Sequence, residues 1–270
     1  MSVIATPARA NPRGTVLLVP PWKIGSPGLL SGYTRLCCES RLDVWLVCPP
    51  HHLHRTSPGA RSGEHFVSLD LFRLSRAFEQ FVLELRVCIA LAARRGPVGL
   101  VGLSLGGLAG ALAATAPEAL DFAALVAPAN LHLALECTAI GRRYRRLALR
   151  ASPDWPTGEE LAAALAPFDP SSRPLTAREL FVAAGLHDVI APPQGTLELS
   201  RSWGVAPHLY SRGHLSLLFL CRALRQDLAD FIDSSCPDRS GRPSAAMPRR
   251  QLNLHHRGGE GPHDHPPAPG

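Results

Sequence analysis

The sequence lacks several features that would point to common classes of protein. Its seven cysteines contain no C-x-x-C pair, so the spacing typical of structural zinc sites is missing. No segment approaches the ~18 apolar residues that a transmembrane helix needs, and the N-terminus has no long apolar run. We therefore expect a cytoplasmic protein with reduced thiols, no secretory signal, no stable membrane insertion and no metal.

Lysine is almost absent, since 28 residues are lysine or arginine and Lys23 is the only lysine. The net charge is +6, but the arginines are scattered, and we expect no nucleic-acid partner. The one dense cluster is RRYRR at residues 142–146. It could attract an anionic head group or an acyl-CoA phosphate, or it could form a solvated helix face. No cofactor is predicted, and the oligomeric state is left open.

Short apolar runs alternate with amphipathic segments along most of the chain. This alternation predicts an α/β fold with a mostly parallel sheet covered by helices on both faces. We expect strands at residues 15–19, 43–48, 98–101, 122–126, 180–184 and 207–211. We expect helices at residues 29–40, 71–93, 105–116, 194–203 and 215–232, and a polar loop at residues 51–68.

Composition divides the chain into several parts. Residues 1–14 form an N-terminal segment, and residues 15–130 and 177–236 form the α/β core. Residues 131–176 follow a helical pattern interrupted by prolines, which predicts a lid or cap inserted into the core. Residues 237–270 are rich in proline, glycine, arginine and histidine, and they are predicted to be disordered because they cannot bury enough apolar surface.

The pentapeptide GLSLG at residues 102–106 lies between an apolar strand and a helix rich in small residues. G-x-S-x-G in this setting indicates a nucleophile elbow, a sharp turn that presents the serine hydroxyl at its apex. Gly102 and Gly106 are needed because larger side chains would clash where strand and helix meet. The helix N-terminus directs backbone N–H groups at Ser104. We predict a catalytic serine here, rather than a structural glycine-rich turn.

The order strand, elbow, helix, strand, insertion, strand, helix, strand, helix resembles the α/β-hydrolase superfamily over roughly residues 15–232. The resemblance implies the α/β-hydrolase fold and a catalytic triad in the chain order serine, acid, histidine. The family's acid follows a late strand, and Asp188 matches it within GLHDVIAPP. The family's histidine follows the last strand, and His214 matches it within RGH. The resemblance thus assigns Asp188 and His214 to a triad with Ser104.

Other readings of these positions stay open. Asp188 could cap the helix that follows it, and His214 could be an ordinary loop or cap histidine. His208 is expected inside the last strand rather than beyond it, and His187 follows no final strand. Asn130 occupies the place where some relatives carry the acid, but it offers no carboxylate.

The resemblance also implies an oxyanion hole made of two backbone N–H groups. Leu105 should supply the first, and the loop after the strand at residues 15–19 should supply the second. Many relatives have His-Gly in that loop, whereas this chain has Pro-Pro-Trp at residues 20–22. Proline has no N–H, so Trp22 is the expected donor by position and Lys23 the next.

Together these residues predict a serine hydrolase that cleaves a small-molecule carboxylic ester or thioester through an acyl-enzyme on Ser104. A neutral hydroxyl is a poor nucleophile, so His214 is expected to act as general base and Asp188 to orient it. The alternatives are acyl transfer by the same triad, and a binding protein without catalysis. The histidine-rich loop at residues 51–65 is expected to be solvated, with a substrate-facing rim or a metal site as alternatives.

Overall fold

Seven β-strands form a mixed sheet in the computed structural model, whose description covers residues 1–8, 11–118 and 120–236. In chain order they are β1 (Val3–Thr6), β2 (Gly14–Val19), β3 (Leu42–Val47), β4 (Val98–Leu103), β5 (Phe122–Val126), β6 (Glu179–Gly185) and β7 (His208–Tyr210). Their order in the sheet is β1-β3-β2-β4-β5-β6-β7. β1 runs antiparallel to β3 and the other pairs are parallel, which confirms the predicted sheet.

Nine α-helices occur in the described part of the chain. They are α1 (Ser31–Glu39), α2 (Leu71–Ala93), α3 (Leu105–Ala113), α4 (Leu131–Cys137), α5 (Ala139–Ala151), α6 (Gly158–Leu165), α7 (Pro193–Ser202), α8 (His214–Leu220) and α9 (Arg222–Ser235). None of these described helices is both long enough and apolar enough to cross a membrane. The segment at residues 237–270, predicted to be disordered, lies outside the described residues.

The central strands are apolar on both faces because helices cover both faces of the sheet. Leu17 and Val19 of β2 pack into a core with α2 and α3, whereas Val16 and Leu18 pack into a second core with α1 and α9. Successive side chains of a strand point to opposite faces, so consecutive residues enter different cores. This two-sided burial explains the nearly continuous apolar runs that marked the strands in the sequence.

β1 lies in the segment 1–14, for which the sequence predicted no strand. It pairs with β3 in the register Val3 to Val47 and Thr6 to Val44. Its side chains are partly buried or exposed, since it covers one edge of the sheet. A four-residue edge strand of this kind has no apolar periodicity that a sequence pattern could detect.

The single helix predicted at residues 215–232 is wrong, because the chain breaks at Cys221 into α8 and α9. Cys221 is extended, with φ −82° and ψ 105°. The break frees carbonyl groups at the end of α8, and side chains satisfy them. The Tyr33 hydroxyl donates to the Leu218 carbonyl at 2.7 Å, and the Arg225 guanidinium donates to the Phe219 carbonyl at 3.0 Å. α8 is therefore a separate short helix that begins at His214.

The insertion between β5 and β6 is built from α4, α5 and α6. Asn130 caps α4 by accepting the Leu133 N–H at 3.0 Å, and Thr138 caps α5 by accepting the Gly141 N–H at 2.9 Å. A Cβ atom at Gly141 would lie 2.0 Å from the Ala134 carbonyl oxygen, so glycine is required where α5 packs against α4. The two helices are thus held as one closely packed pair.

Candidate active site

Ser104 occupies the sharp turn between β4 and α3. Its backbone has φ 54° and ψ −111°, a region that costs a non-glycine residue roughly 1–3 kcal/mol. Hydrogen bonds to neighbouring elements hold this conformation. The Ser104 N–H donates to the Val126 carbonyl at 2.9 Å, and the Ser104 carbonyl accepts from Leu108 at 3.0 Å and from Ala129 at 3.2 Å. The strained turn is therefore fixed by β5 and by the segment that follows it.

The glycines around Ser104 allow the backbone of several elements to approach closely. A Cβ atom at Gly102 would lie 2.4 Å from the Gly106 carbonyl oxygen, and one at Gly106 would lie 2.2 Å from the Val19 carbonyl oxygen. A Cβ atom at Gly107 would lie 2.9 Å from the Pro128 Cα. Backbone atoms cannot rotate away as a side chain can. Glycine at 106 therefore lets the N-terminus of α3 lie against the end of β2, and glycine at 102 and 107 lets it lie against the end of β4 and the segment after β5.

Ser104, His214 and Asp188 form a continuous hydrogen-bonded line. The His214 Nε2 atom lies 3.0 Å from the Ser104 hydroxyl oxygen, and its Nδ1 atom lies 2.6 Å from Asp188 Oδ2. The other carboxylate oxygen, Oδ1, accepts the N–H groups of Ile190 at 2.9 Å and Ala191 at 2.8 Å. The three side chains belong to residues that are only 5–8% exposed. The structure thus brings together the three residues that the sequence singled out.

Two loops bring the acid and the imidazole together. Two N–H groups of the loop after β6 donate to the end of β7 and to the loop that follows it. The Leu186 N–H donates to the Tyr210 carbonyl at 2.8 Å, and the His187 N–H donates to the Arg212 carbonyl at 3.0 Å. A Cβ atom at Gly185 would lie 2.5 Å from the Arg212 carbonyl oxygen. These contacts place Asp188, which follows His187, beside His214, the first residue of α8.

The competing residues have other contacts in the described part of the chain. His187 is exposed, and its Nε2 atom lies 3.1 Å from the Ser211 hydroxyl. His208 stacks on Phe181 with 4.2 Å between ring centroids. Asn130 caps α4, as described above. None of them contacts Ser104.

Of the three backbone groups considered for the oxyanion hole, the Lys23 N–H has another partner: it donates to His52 Nε2 at 3.3 Å. Leu105 is the first residue of α3, where backbone N–H groups have no partner within the helix. Trp22 lines the same cavity as Ser104, and its indole N–H donates to the Gly63 carbonyl at 2.7 Å. Trp22 therefore stays the expected second donor.

His52 is fully buried, so the loop at residues 51–65 is not simply solvated as expected. Its Nδ1 atom lies 2.8 Å from the Pro50 carbonyl oxygen, which can only accept, so Nδ1 carries the proton and Nε2 accepts from Lys23. Gly63 has φ +75°, and a Cβ atom there would lie 2.5 Å from His52 Nε2. No pattern in the sequence indicates this buried histidine, because its burial depends on a loop that folds back over it.

The metal alternative for the loop at residues 51–65 has no geometric support. Of the described residues, no group of three or more histidine, cysteine, aspartate or glutamate side chains is placed so that it could hold a metal ion. His52 itself uses both ring nitrogens within the protein. The Arg55 guanidinium, from the same loop, pairs with Glu84 of α2. These side chains anchor the loop to the core.

The Ser104 hydroxyl lies at an apolar cavity of about 130 Å³. Its walls come from the loop after β2, from α2, from the α4–α5 pair and from the segment between α5 and α6. They include the side chains of Trp22, Leu74, Leu135, Tyr144 and Trp155. The polar Thr138 side chain at this cavity is internally satisfied, since its hydroxyl donates to the Ala134 carbonyl at 2.6 Å. The cavity therefore suits an apolar group about the size of benzene, which occupies an engineered protein cavity of ~150 Å³.

Many solved structures share this fold, although no protein-family model and no curated protein matches the sequence. The monoacylglycerol lipase of Paleococcus ferrophilus is 16% identical, with a TM-score of 0.56 over 87% of this chain and 100% of that chain. The acetyl xylan esterase from Paenibacillus sp. R4 is 15% identical, with a TM-score of 0.63 over 85% of this chain and 78% of that chain. The alpha/beta hydrolase GrgF from Penicillium sp. sh18 is 18% identical, with a TM-score of 0.56 over 87% of this chain and 93% of that chain. The chain therefore has the α/β-hydrolase fold.

Gly106→Ala should destabilise the protein by about 1–3 kcal/mol or more, because the new methyl group would overlap the Val19 carbonyl oxygen. Gly32→Ala is the matched control. Gly32 lies in α1 with nothing within 4 Å of an added Cβ, so alanine should stabilise the helix by roughly 0.5–1 kcal/mol. Urea unfolding of the three proteins measures both effects. Equal stability of the Gly106→Ala variant and the wild type would contradict the close approach.

His52 should make the protein less stable in acid. Burial lowers the pKa of His52 from 6.5 to about 4, opposed by its hydrogen bond to Pro50 and assisted by the charges of His51 and Arg55. As the pH falls, His52 therefore becomes protonated near pH 6.5 in the unfolded chain but only near pH 4 in the folded chain. The contribution of neutral His52 to the free energy of unfolding is fully present above pH 6.5. About 3 kcal/mol of it is lost as the pH falls from 6.5 to 4.

The measurement is urea unfolding of the wild type and of His52→Gln at several pH values. The difference at pH 8, where both side chains are neutral, gives the packing cost of the substitution. The advantage of the wild type should then shrink by about 3 kcal/mol between pH 6.5 and pH 4. A difference that does not change with pH would show that His52 is not held neutral by burial.

Proposed function

We propose that the protein is a serine hydrolase that cleaves a carboxylic ester or thioester, with Ser104 as nucleophile, His214 as general base and Asp188 as the acid that orients it. The observation that carries the proposal is the buried hydrogen-bonded line from Asp188 through His214 to the Ser104 hydroxyl. This line ends at an apolar cavity that can hold an acyl group. The names of similar structures, a lipase and an esterase, point to the same class of reaction.

The hydrogen bonds define which proton moves. A carboxylate only accepts, so Asp188 Oδ2 fixes the proton of His214 on Nδ1 and leaves the Nε2 lone pair facing Ser104. As the Ser104 oxygen attacks the acyl carbonyl, its proton passes to Nε2 and the carbonyl electrons move onto the oxygen. Asp188 stabilises the resulting imidazolium. The Leu105 N–H, at the N-terminus of α3, and the Trp22 N–H are the groups proposed to bind the oxyanion.

Collapse of this intermediate breaks the bond to the leaving group, which departs with the proton from His214 Nε2. The acyl group stays on the Ser104 oxygen. Water then attacks the acyl carbon while Nε2 takes its proton, and a second collapse returns that proton to Ser104 and releases the acid. An alcohol or thiol in place of water would give acyl transfer with the same residues.

Ser104→Ala should lower kcat/KM for p-nitrophenyl butyrate by at least ~10⁴-fold, because the nucleophile is lost. The wild type should gain one adduct with a fluorophosphonate, measured by intact-protein mass, and the variant none. Ser57→Ala is the control, since Ser57 is an exposed serine outside the cavity and should keep both properties.

Full esterase activity in Ser104→Ala would overturn the proposal. A folded wild type without an adduct would favour the alternative of a binding protein. Product analysis with added alcohols or thiols separates hydrolysis from acyl transfer, because transfer yields a new ester in place of the free acid.

The cavity volume predicts a preference for short acyl groups. Among p-nitrophenyl esters, kcat/KM should be highest at about four to six acyl carbons and fall for longer chains. Leu135→Ala removes part of the cavity wall and should move the optimum to a longer chain by about two or three carbons. Leu29→Ala, at an exposed leucine outside the cavity, should leave the optimum unchanged. The same optimum in all three proteins would show that the acyl chain binds elsewhere.

A further inference from the structure

The helix α5 has two different sides. One side contributes Gly141, Tyr144 and the partly exposed Ile140 to the wall of the cavity at Ser104. Five of its 13 residues are arginine, and four of these five are exposed. The helix α5, which borders the candidate active site, therefore carries a dense positive charge.

Two of these arginines have partners within the protein. Arg145 pairs with Glu136 of α4, and the Arg142 guanidinium donates to the Cys137 carbonyl at 3.0 Å. Arg143, Arg146 and Arg150 have no acidic partner among the described residues. We call these three the α5 arginine row.

The α5 arginine row repels itself in the isolated protein. Its members follow one another at spacings of three and four residues, so they are neighbours on the helix surface, where like charges destabilise the helix. The row extends for about 10 Å along the helix axis. A ligand with more than one negative charge would relieve this repulsion.

A further cation lies against Trp22, which lines the cavity. The Lys23 ammonium is 4.2 Å from the centroid of the Trp22 ring, and the Trp22 ring contacts Tyr144 of α5 with 6.4 Å between centroids. The pKa of the nearby Glu64 carboxyl is lowered, mainly by the hydrogen bond that it accepts from the Arg61 N–H and to a smaller extent by the charge of Lys23. Lys23 is thus connected to α5 through the contact between Trp22 and Tyr144.

We propose that the substrate is an acyl thioester or ester whose leaving group carries phosphate, held by the α5 arginine row while the acyl group occupies the cavity. This inference rests on the proposed function. Arginine suits the role because its planar guanidinium binds phosphate through two parallel hydrogen bonds. A membrane surface fits less well, because Ile140 and Leu147 are the large apolar side chains exposed on α5, and an interfacial helix needs a wider apolar face.

The test compares two thioesters with the same acyl group. Butyryl-coenzyme A carries phosphates on its leaving group, and S-butyryl-N-acetylcysteamine does not. The wild type should have a KM for butyryl-coenzyme A that is lower by about tenfold or more and that rises with salt. The triple variant R143Q/R146Q/R150Q should lose this difference through KM, with kcat changed less than about twofold, because its triad is intact.

The matched control is R35Q/R201Q/R222Q, which removes the same charge at three exposed arginines on α1, α7 and α9, outside the helix that borders the cavity. It should keep the preference for butyryl-coenzyme A. Equal KM values for the two thioesters in the wild type would overturn the proposal, as would an equal loss in both triple variants.

Two further measurements distinguish failure of the phosphate inference from failure of the proposed hydrolase function. Fluorophosphonate labelling of Ser104 reports on the proposed hydrolase itself, and labelling without any thioester preference would overturn only the phosphate inference. Flotation with phosphatidylglycerol vesicles tests the membrane reading. Vesicle binding that is lost in R143Q/R146Q/R150Q, with no thioester preference in the wild type, would assign the row to a lipid surface instead.

Discussion

The candidate site depends on how closely the N-terminus of α3 lies against the end of β2. At Gly106 the distance leaves no room for a Cβ atom beside the Val19 carbonyl oxygen. This contact brings the loop after β2, with Trp22, to the turn that carries Ser104. The same turn is held from the other side by β5 through the Ser104 N–H. The strained backbone of the serine is therefore fixed between neighbouring strands of the sheet, and one added methyl group would disturb both the turn and the loop beside it.

The site combines side chains from distant parts of the chain through contacts between loops. The acid follows β6 and the histidine opens α8, and paired backbone hydrogen bonds hold those two loops together. The break at Cys221 allows α8 to be a separate helix, whose last carbonyl groups are satisfied by Tyr33 and Arg225. The position of His214 thus depends on α1 and α9.

Much of the fold could be predicted because its signals are local. α2 has the predicted ends, since Asp70 caps its first turn by accepting the N–H groups of Phe72 and Arg73 and apolar residues recur along its buried face. Ser104 could be predicted from the G-x-S-x-G motif, and Asp188 and His214 from the resemblance to the α/β-hydrolase superfamily, because each follows a strand where that superfamily carries its acid and its histidine. The break at Cys221 could not be predicted, because the Tyr33 hydroxyl that satisfies the end of α8 lies far away in the sequence. The burial of His52 could not be predicted either, because it depends on how its own loop folds back at Gly63.

The position of the single lysine has a practical consequence for studying this protein in solution. Amine-reactive dyes modify lysine side chains and the N-terminal amine, and the amine of Met1 pairs with Glu84. The exposed Lys23 lies over the Trp22 ring at the cavity that Ser104 faces. A fluorophore attached to Lys23 would therefore sit within energy-transfer distance of Trp22. The chain thus offers an attachment point at which optical titration could follow ligand entry without an engineered cysteine.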